Sequence, residues 1–273
     1  MSIDPVDGSA TIGFLGPSGT FTEQALRSQP DLAGAKLRPC ESFSDVLFAV
    51  AEGELDLGFV AVENAIEGTV NISMDTLAFD VDLRIQREVI LPVEMNLLVS
   101  PGVTLDQVRR VASFPHAYAQ CRGWLRANLP GVELVAANST AGAAAMLADR
   151  ADPGLAAIAN RRAAEVYGLD VLASDIEDHP GNATRFMLVG REGIPGPTGH
   201  DKTSIVVFQR ADAPAPCLPS CRSSRRDGST CRCWCRGRPR PPSATTAFCS
   251  SSTDTSPTRW LPTAFGRCAR NTT

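Results

Sequence analysis

Residues 57–70 read LGFVAVENAIEGTV, an unbroken apolar run that ends abruptly in Glu63, Asn64, Glu67 and Gly68. A continuous apolar run of this length fits a strand buried on both faces, as in parallel sheets covered by helices. Polar groups at the end of such a strand are costly to place without a purpose, because ligands of open α/β sheets bind beyond the carboxyl ends of strands. The plainer reading is capping of a helix near 71–78. Outward from this stretch the pattern repeats. Upstream, TIGFL at 11–15 predicts a strand that runs into a Gly-Pro turn, then a helix over 21–27 with Thr20 or Thr22 as N-cap. A second helix is predicted over 43–52, with Ser42 before it and Phe43, Val46, Leu47 and Val50 at helical spacing. Downstream, strands are predicted at 83–91, 95–99, 111–114, 134–136, 155–159, 185–189 and 204–208, and helices at 116–129, 140–149 and 161–167. Strand–helix alternation of this kind predicts an α/β fold with largely parallel sheets. Residues 81–94 lack helical period and 174–181 are polar and Pro/Gly-bearing, so the chain is expected to cross there between two lobes, the second spanning about 92–175 of a domain over 11–191. The Gly/Pro-rich 192–202 reads as a linker.

Three further segments place polar residues at strand ends. Gly16-Pro17-Ser18-Gly19-Thr20-Phe21-Thr22-Glu23 joins a strand to a helix and is equally a ligand-cradling loop and a capped turn. Ser139-Thr140-Ala141-Gly142 opens a helix, where capping is the plain reading. Asn182-Ala183-Thr184-Arg185-Phe186 enters a strand, and an Arg beside an apolar run suits either an ion pair or a carboxylate clamp.

These segments in this order, with AAIANRRAAEVYGLDVLASDIED from 156 to 178, resemble the prephenate dehydratase family over roughly residues 11–212. The resemblance implies a two-lobed fold like type II periplasmic binding proteins, with the site in the cleft and no metal or organic cofactor. It implies conversion of prephenate to phenylpyruvate by loss of carbon dioxide and of the ring hydroxyl as water, the step before phenylalanine. Thr184 then assists the leaving hydroxyl, with Glu63 and Asn64 at the cleft. Ser18, Gly19, Thr20, Ser139, Asn160 and Arg185 are expected around the substrate, and Phe186 is expected to shape the pocket. Where members carry His-Pro-Gln, this chain has Phe114-Pro115-His116, so a capping or surface His is expected rather than a catalytic one. Cys40 and Cys121 are expected to be free thiols. The same chemistry on the amino analogue, arogenate, and a non-catalytic two-lobed binding module are the alternatives. Thr184 with Glu63 and Asn64 favours the enzyme.

Bulk composition splits near residue 214. Residues 1–214 carry 16 basic and 28 acidic residues, a balance of −12, whereas 215–273 carry ten Arg and two Asp, a balance of +8. An acidic domain of ordinary apolar content gives no argument for nucleic-acid or membrane partners. Residues 1–10 lack the basic-then-apolar order of a signal peptide, so a flexible start and a cytoplasmic location are expected. Residues 203–214 resemble the first strand and turn of the ACT regulatory domain that follows in this family and binds phenylalanine. From 215 onward there is no Ile, Val or Met, and Leu, Phe and Trp number six, too few to offset chain entropy, so disorder is expected. Cys231-x-Cys233-x-Cys235 departs from zinc-ligand spacing. Arg, Pro, Ser and Cys enrichment is what a GC-rich gene yields out of frame. Synonymous codons for 236–261, read from the third base, can spell Ser-Arg-Pro-Thr, Phe-Gly-Asp-Tyr and Phe-Ile-Asp-Gly-His. A frameshift near 214–217 is the resulting hypothesis, and resequencing that finds the frame intact and no ACT-like pattern in another frame overturns it. Phenylalanine control is then expected to be lost, and a homo-oligomer is expected for a chain whose regulatory domain is intact.

Overall fold

In the computed structural model, residues 10–193 apart from 33 and 151, and residue 204, are described. The strand expected at 204–208 and the whole tail lie outside the described residues. The chain runs β1 (Thr11–Leu15), α1 (Phe21–Arg27), β2 (Lys36–Cys40), α2 (Phe43–Glu52), β3 (Leu57–Asn64), β4 (Gly68–Thr69), α3 (Asn71–Asp75) and β5 (Arg84–Pro92). It continues through β6 (Asn96–Val99), β7 (Arg110–Ser113), α4 (Pro115–Gln120), α5 (Arg122–Asn128), β8 (Glu133–Ala136) and α6 (Thr140–Arg150). It ends with β9 (Leu155–Ala159), α7 (Arg161–Tyr167), β10 (Asp170–Ala173) and β11 (Ala183–Gly190).

Local chemistry explains the helices. Ser42 Oγ accepts from the Asp45 N–H at 3.1 Å and Gly53 closes α2 at φ +86°, a left-handed conformation that favours glycine. Between them Val46, Leu47 and Val50 are completely buried. At about 1.5–3 kcal/mol per buried aliphatic side chain, this stripe holds α2 to its sheet far more firmly than helix propensity could. The helix expected at 116–129 is two helices. It breaks at Cys121 (φ −115°, ψ 11°), and the Asp178 carboxylate accepts from the Gly123 and Trp124 N–H groups that open α5. Cys121 is fully buried there, and burial with Glu177 and Asp178 nearby pushes its thiol up to about 12. Both Cys40 and Cys121 are free.

Two sheets form, one per lobe. The first has the order β2-β1-β3-β11-β5, with β4 paired to β3, and the second β10-β6-β9-β7-β8. Both are mixed, which corrects the largely parallel expectation. β11 is antiparallel to both β3 and β5, and β6 is antiparallel to both β9 and β10. These are the strands that follow the two crossings between lobes, where the chain re-enters a sheet from the far side. The crossings pair with each other. Val93 N donates to Asn182 O at 2.9 Å, Ile176 N to Met95 O at 3.0 Å, and Met95 N to the Glu177 carboxylate at 2.9 Å. The first core packs Ile12, Phe14, Leu26, Phe59, Phe186 and Leu188 between sheet and α1. The second lobe has a core on each face of its sheet, one around Leu97, Val111 and Leu125 and one around Ala144, Leu147 and Ala157. No helix among the described residues is long and apolar enough to cross a membrane.

Candidate active site at the facing strand ends

β1 and β3 are parallel to one another, as are β7, β8 and β9, so each lobe gathers its strand carboxyl ends on one edge. Contacts between lobes join those edges. Tyr167 donates to Ser18 O at 3.0 Å, and His116 Nδ1 lies 3.2 Å from Glu67 Oε1. The sequence-predicted residues lie along these edges. A surface groove of about 460 Å³ beside β2 and α2, lined by Arg38, Cys40, Asp45 and Glu52 among others, contains none of them.

Thr184 and Asn64 are the closest-knit pair. They sit opposite each other in register on β11 and β3, and Asn64 Nδ2 donates to Thr184 Oγ1 at 2.9 Å. Asn64 Oδ1 accepts from the backbone N–H groups of Ile66 and Glu67, both at 3.0 Å, so the amide's orientation is fixed by the loop after β3. This pairing depends on a bulge. Arg185 pairs with Glu63 but Phe186 pairs with Ala61, which leaves Val62 as an extra residue on β3. Regular alternation would put Glu63 on the face of Phe59 and Ala61. The extra residue gives that face to Asn64 and turns Glu63 to the other.

There Glu63 meets Arg185, whose Nε lies 3.4 Å from Glu63 Oε2 and 2.8 Å from Glu88 Oε1. Arg185 makes this ion pair on the opposite strand face from Thr184. Phe186 is 1% exposed and stacks on Phe59 with ring centroids 5.1 Å apart, so it supports the site from within the core.

The turn before α1 is committed internally. Thr20 Oγ1 donates to Leu15 O at 3.0 Å and accepts from Glu23 N at 3.3 Å, which makes it the N-cap and leaves its hydroxyl proton occupied. Gly19 has φ +88°, and a Cβ there would lie 3.1 Å from the Tyr167 ring and 3.2 Å from Ala163 Cα, so only glycine fits. Its N–H donates to Glu23 Oε2 at 2.7 Å. Ser18 is exposed.

Ser139 and Asn160 keep unused hydrogen-bonding capacity. Ser139 Oγ accepts from Gly142 N at 2.9 Å as the cap of α6, which leaves its O–H to donate outward beside the positive end of an 11-residue helix. Asn160 is 1% exposed. Its Oδ1 caps α7 by accepting from Ala163 N at 2.9 Å, while Nδ2 is buried with no partner. A buried donor left unmatched costs about 1–3 kcal/mol, so Asn160 is poised for an acceptor.

His116 is exposed, stacked on Phe114 at 5.4 Å, and faces Glu67 from the other lobe. Exposed pairs of this kind are worth about 0–1 kcal/mol, which suits a surface tether better than a catalytic imidazole. Sequence reading assigned no role to Glu23. Its signals are the Thr20-x-x-Glu23 capping-box pattern and its place at the end of the Gly16–Glu23 stretch. In the structure the carboxylate reaches one residue beyond the N-cap, to Gly19, and also meets Arg162 of the second lobe. Burial pushes its carboxyl up, but the Gly19 N–H, Arg27 and Arg162 outweigh burial and hold it below the usual range.

Residues 12–194 match the family model for prephenate dehydratase. A prephenate dehydratase of Mycolicibacterium vanbaalenii is 45% identical over 212 residues, covering 72% of this chain and 67% of that protein. Several other such relatives are matched over slightly less than two thirds of their length. The solved prephenate dehydratase of Arthrobacter aurescens in complex with L-Phe superposes with TM-score 0.82 at 36% identity, covering 90% of this chain and 81% of that one. GqqA, described as a quorum-quenching acylase, superposes with TM-score 0.79 at 29% identity, covering 94% and 92%, so the fold alone does not choose a reaction. The two-lobed type II arrangement is that of the prephenate dehydratase structures, and with the family model matching two thirds of its residues, the chain belongs to the prephenate dehydratase family.

Proposed function

We propose that this protein is a carbon–oxygen lyase that converts prephenate to phenylpyruvate, carbon dioxide and water. The observation that carries the reading is the Asn64-to-Thr184 hydrogen bond. Because the amide donates to Oγ1, the hydroxyl acts as acceptor toward Asn64 and its own proton is directed elsewhere. In the reaction the bond from the ring to its carboxylate breaks, and that electron pair enters the ring. As it shifts through the diene the bond from the ring to its hydroxyl breaks, the oxygen leaves with that bond's pair, and the ring becomes aromatic. A proton donated along the Thr184 O–H lets it depart as water, and solvent restores the threonine. Aromatisation supplies the driving force, so the protein's work is to position the substrate and stabilise a departing oxyanion. A threonine hydroxyl is a weak acid in water, but a preorganised donor in a dry site gains strength from low local dielectric.

Prephenate carries two carboxylates. Ser139 at the N-terminus of α6 and the unmatched Asn160 amide are the donors assigned to hold them, with Ser18 at the lip of the facing turn. Arg185, Glu63 and Glu88 brace β11 from behind, and Thr20 and Gly19 brace the turn. Residues 215–273 do not carry the sequence character of a phenylalanine-binding domain, so we infer activity that ignores phenylalanine. Phenylpyruvate formation from prephenate by the purified full chain, with and without phenylalanine, is the test, with arogenate run beside it. Turnover of prephenate unaffected by phenylalanine is the expected outcome. A folded chain that turns over neither compound would overturn the reading.

A further inference from the structure

Glu23 is the only charged side chain that is buried among the described residues, its side chain being 3% exposed. A buried carboxylate is tolerated only where donors surround it. Here they come from three places. Oε2 takes the Gly19 N–H at 2.7 Å, from the turn of the first lobe. Oε1 takes Arg27 Nε at 2.6 Å from its own helix, and Arg162 Nε and Nη2 at 3.3 and 3.1 Å from α7 of the second lobe. Arg162 is itself aimed by Glu165, at 2.9 Å. Around this node Gly19 packs on Ala163 and Tyr167, Tyr167 donates to Ser18 O, and Phe21 packs against the cores of both lobes.

Two paired crossings between lobes permit rotation about the line that joins them. A third fixed point away from that line removes it. We propose that Glu23 is a positioning residue. By holding the Gly19 amide with one oxygen and Arg162 with the other, it fixes the turn of the first lobe against α7 of the second. It thereby sets the spacing across which Thr184 and Asn160 act on one substrate. The inference rests on the proposed reaction, in which both lobes hold the same molecule, and errors of about 1 Å in such spacing can cost about 10²-fold in rate.

The full chain carrying Glu23→Gln, Arg162→Gln, or both tests it. Each single change is expected to lower kcat/KM about tenfold or more, chiefly through kcat. The double variant should be no worse than the weaker single one, because both break one clasp. Arg162→Lys, which keeps the charge, should recover part of the loss. Amide exchange should rise together in residues 16–20 and 161–167 while β3 and β7 keep their protection. A purely structural glutamate would lower the melting temperature and leave the folded enzyme's kcat in place. That result, effects that multiply in the double variant, or exchange that rises on one side of the junction alone would overturn the proposal. If Glu23→Gln fails to fold, Arg162→Gln, at a residue with a quarter of its side chain exposed, carries the same readouts. If the unaltered chain makes no phenylpyruvate, the functional reading fails, while the exchange measurements still decide the clasp.

Discussion

Replacing Thr184 with Val is expected to lower kcat by about 10²–10³-fold, the range for loss of a single preorganised proton donor. Valine keeps the branched shape and the strand preference of threonine, so β11 should hold its register. What is lost is the hydroxyl, and with it the acceptor of the Asn64 amide. Stranding that part-buried donor adds about 1–3 kcal/mol of destabilisation, which leaves most of the chain folded if its stability is ordinary for a domain. Thr184→Ser restores both the donor and the acceptor and should recover most of the rate. Steady-state kinetics on prephenate, with circular dichroism as the control for folding, decides the matter. A Thr184→Val enzyme within tenfold of the unaltered one would remove the hydroxyl from the reaction.

Phe186→Ala should act on stability instead. Phe186 is 1% exposed, lies in the core between the first sheet and α1, and stacks on Phe59. Truncating a buried Phe costs about 3–5 kcal/mol in lost transfer energy and residual cavity, a large share of the roughly 5–15 kcal/mol that holds a domain together. Urea unfolding should show the loss, and the protein that remains folded should keep kcat within a few-fold. The opposite pattern, intact stability with collapsed turnover, would make Phe186 a substrate contact after all.

The elements legible in the sequence are those that bury a continuous apolar stripe. TIGFL, LGFVAV and LAAIA are interior strands, and α2 advertises itself by Ser42, Gly53 and the spacing of Val46, Leu47 and Val50. The strands that escaped, β2 (KLRPC) and β10 (DVLA), lie at sheet edges, where charged residues and a proline are tolerated and no apolar run is required. Strand direction escaped as well. The period of two is the same whichever way a strand runs, so nothing in ATRFMLVG announces that it is antiparallel to both neighbours. The site divided likewise. Strand-end position and residue type picked out the segments that hold Asn64, Thr184 and Ser139, and the family resemblance added Asn160, but which atoms meet depends on register. Asn64 and Thr184 are separated by 120 positions in the chain, and one extra residue at Val62 decides whether Asn64 or Glu63 faces Thr184. Glu23 and Arg162, 139 positions apart, each look like ordinary helix-surface charges until the lobes are assembled.

The order of strands in the first sheet also constrains synthesis. Among the described residues β11 is the last strand in sequence, yet it lies between β3 and β5, its neighbours on either side. Until it emerges, those two strands present bare edges to one another, and the first lobe cannot close. The second lobe, drawn from one uninterrupted stretch, can complete its sheet beforehand. A ribosome-bound chain should therefore carry a finished second lobe beside an open first one, the state in which unpaired edges invite wrong partners. Thr184 arrives with that strand, so the lyase chemistry proposed for it cannot begin until residues 183–190 have been made and have paired. A shift of frame after residue 190, by contrast, would leave every described strand of both sheets in place.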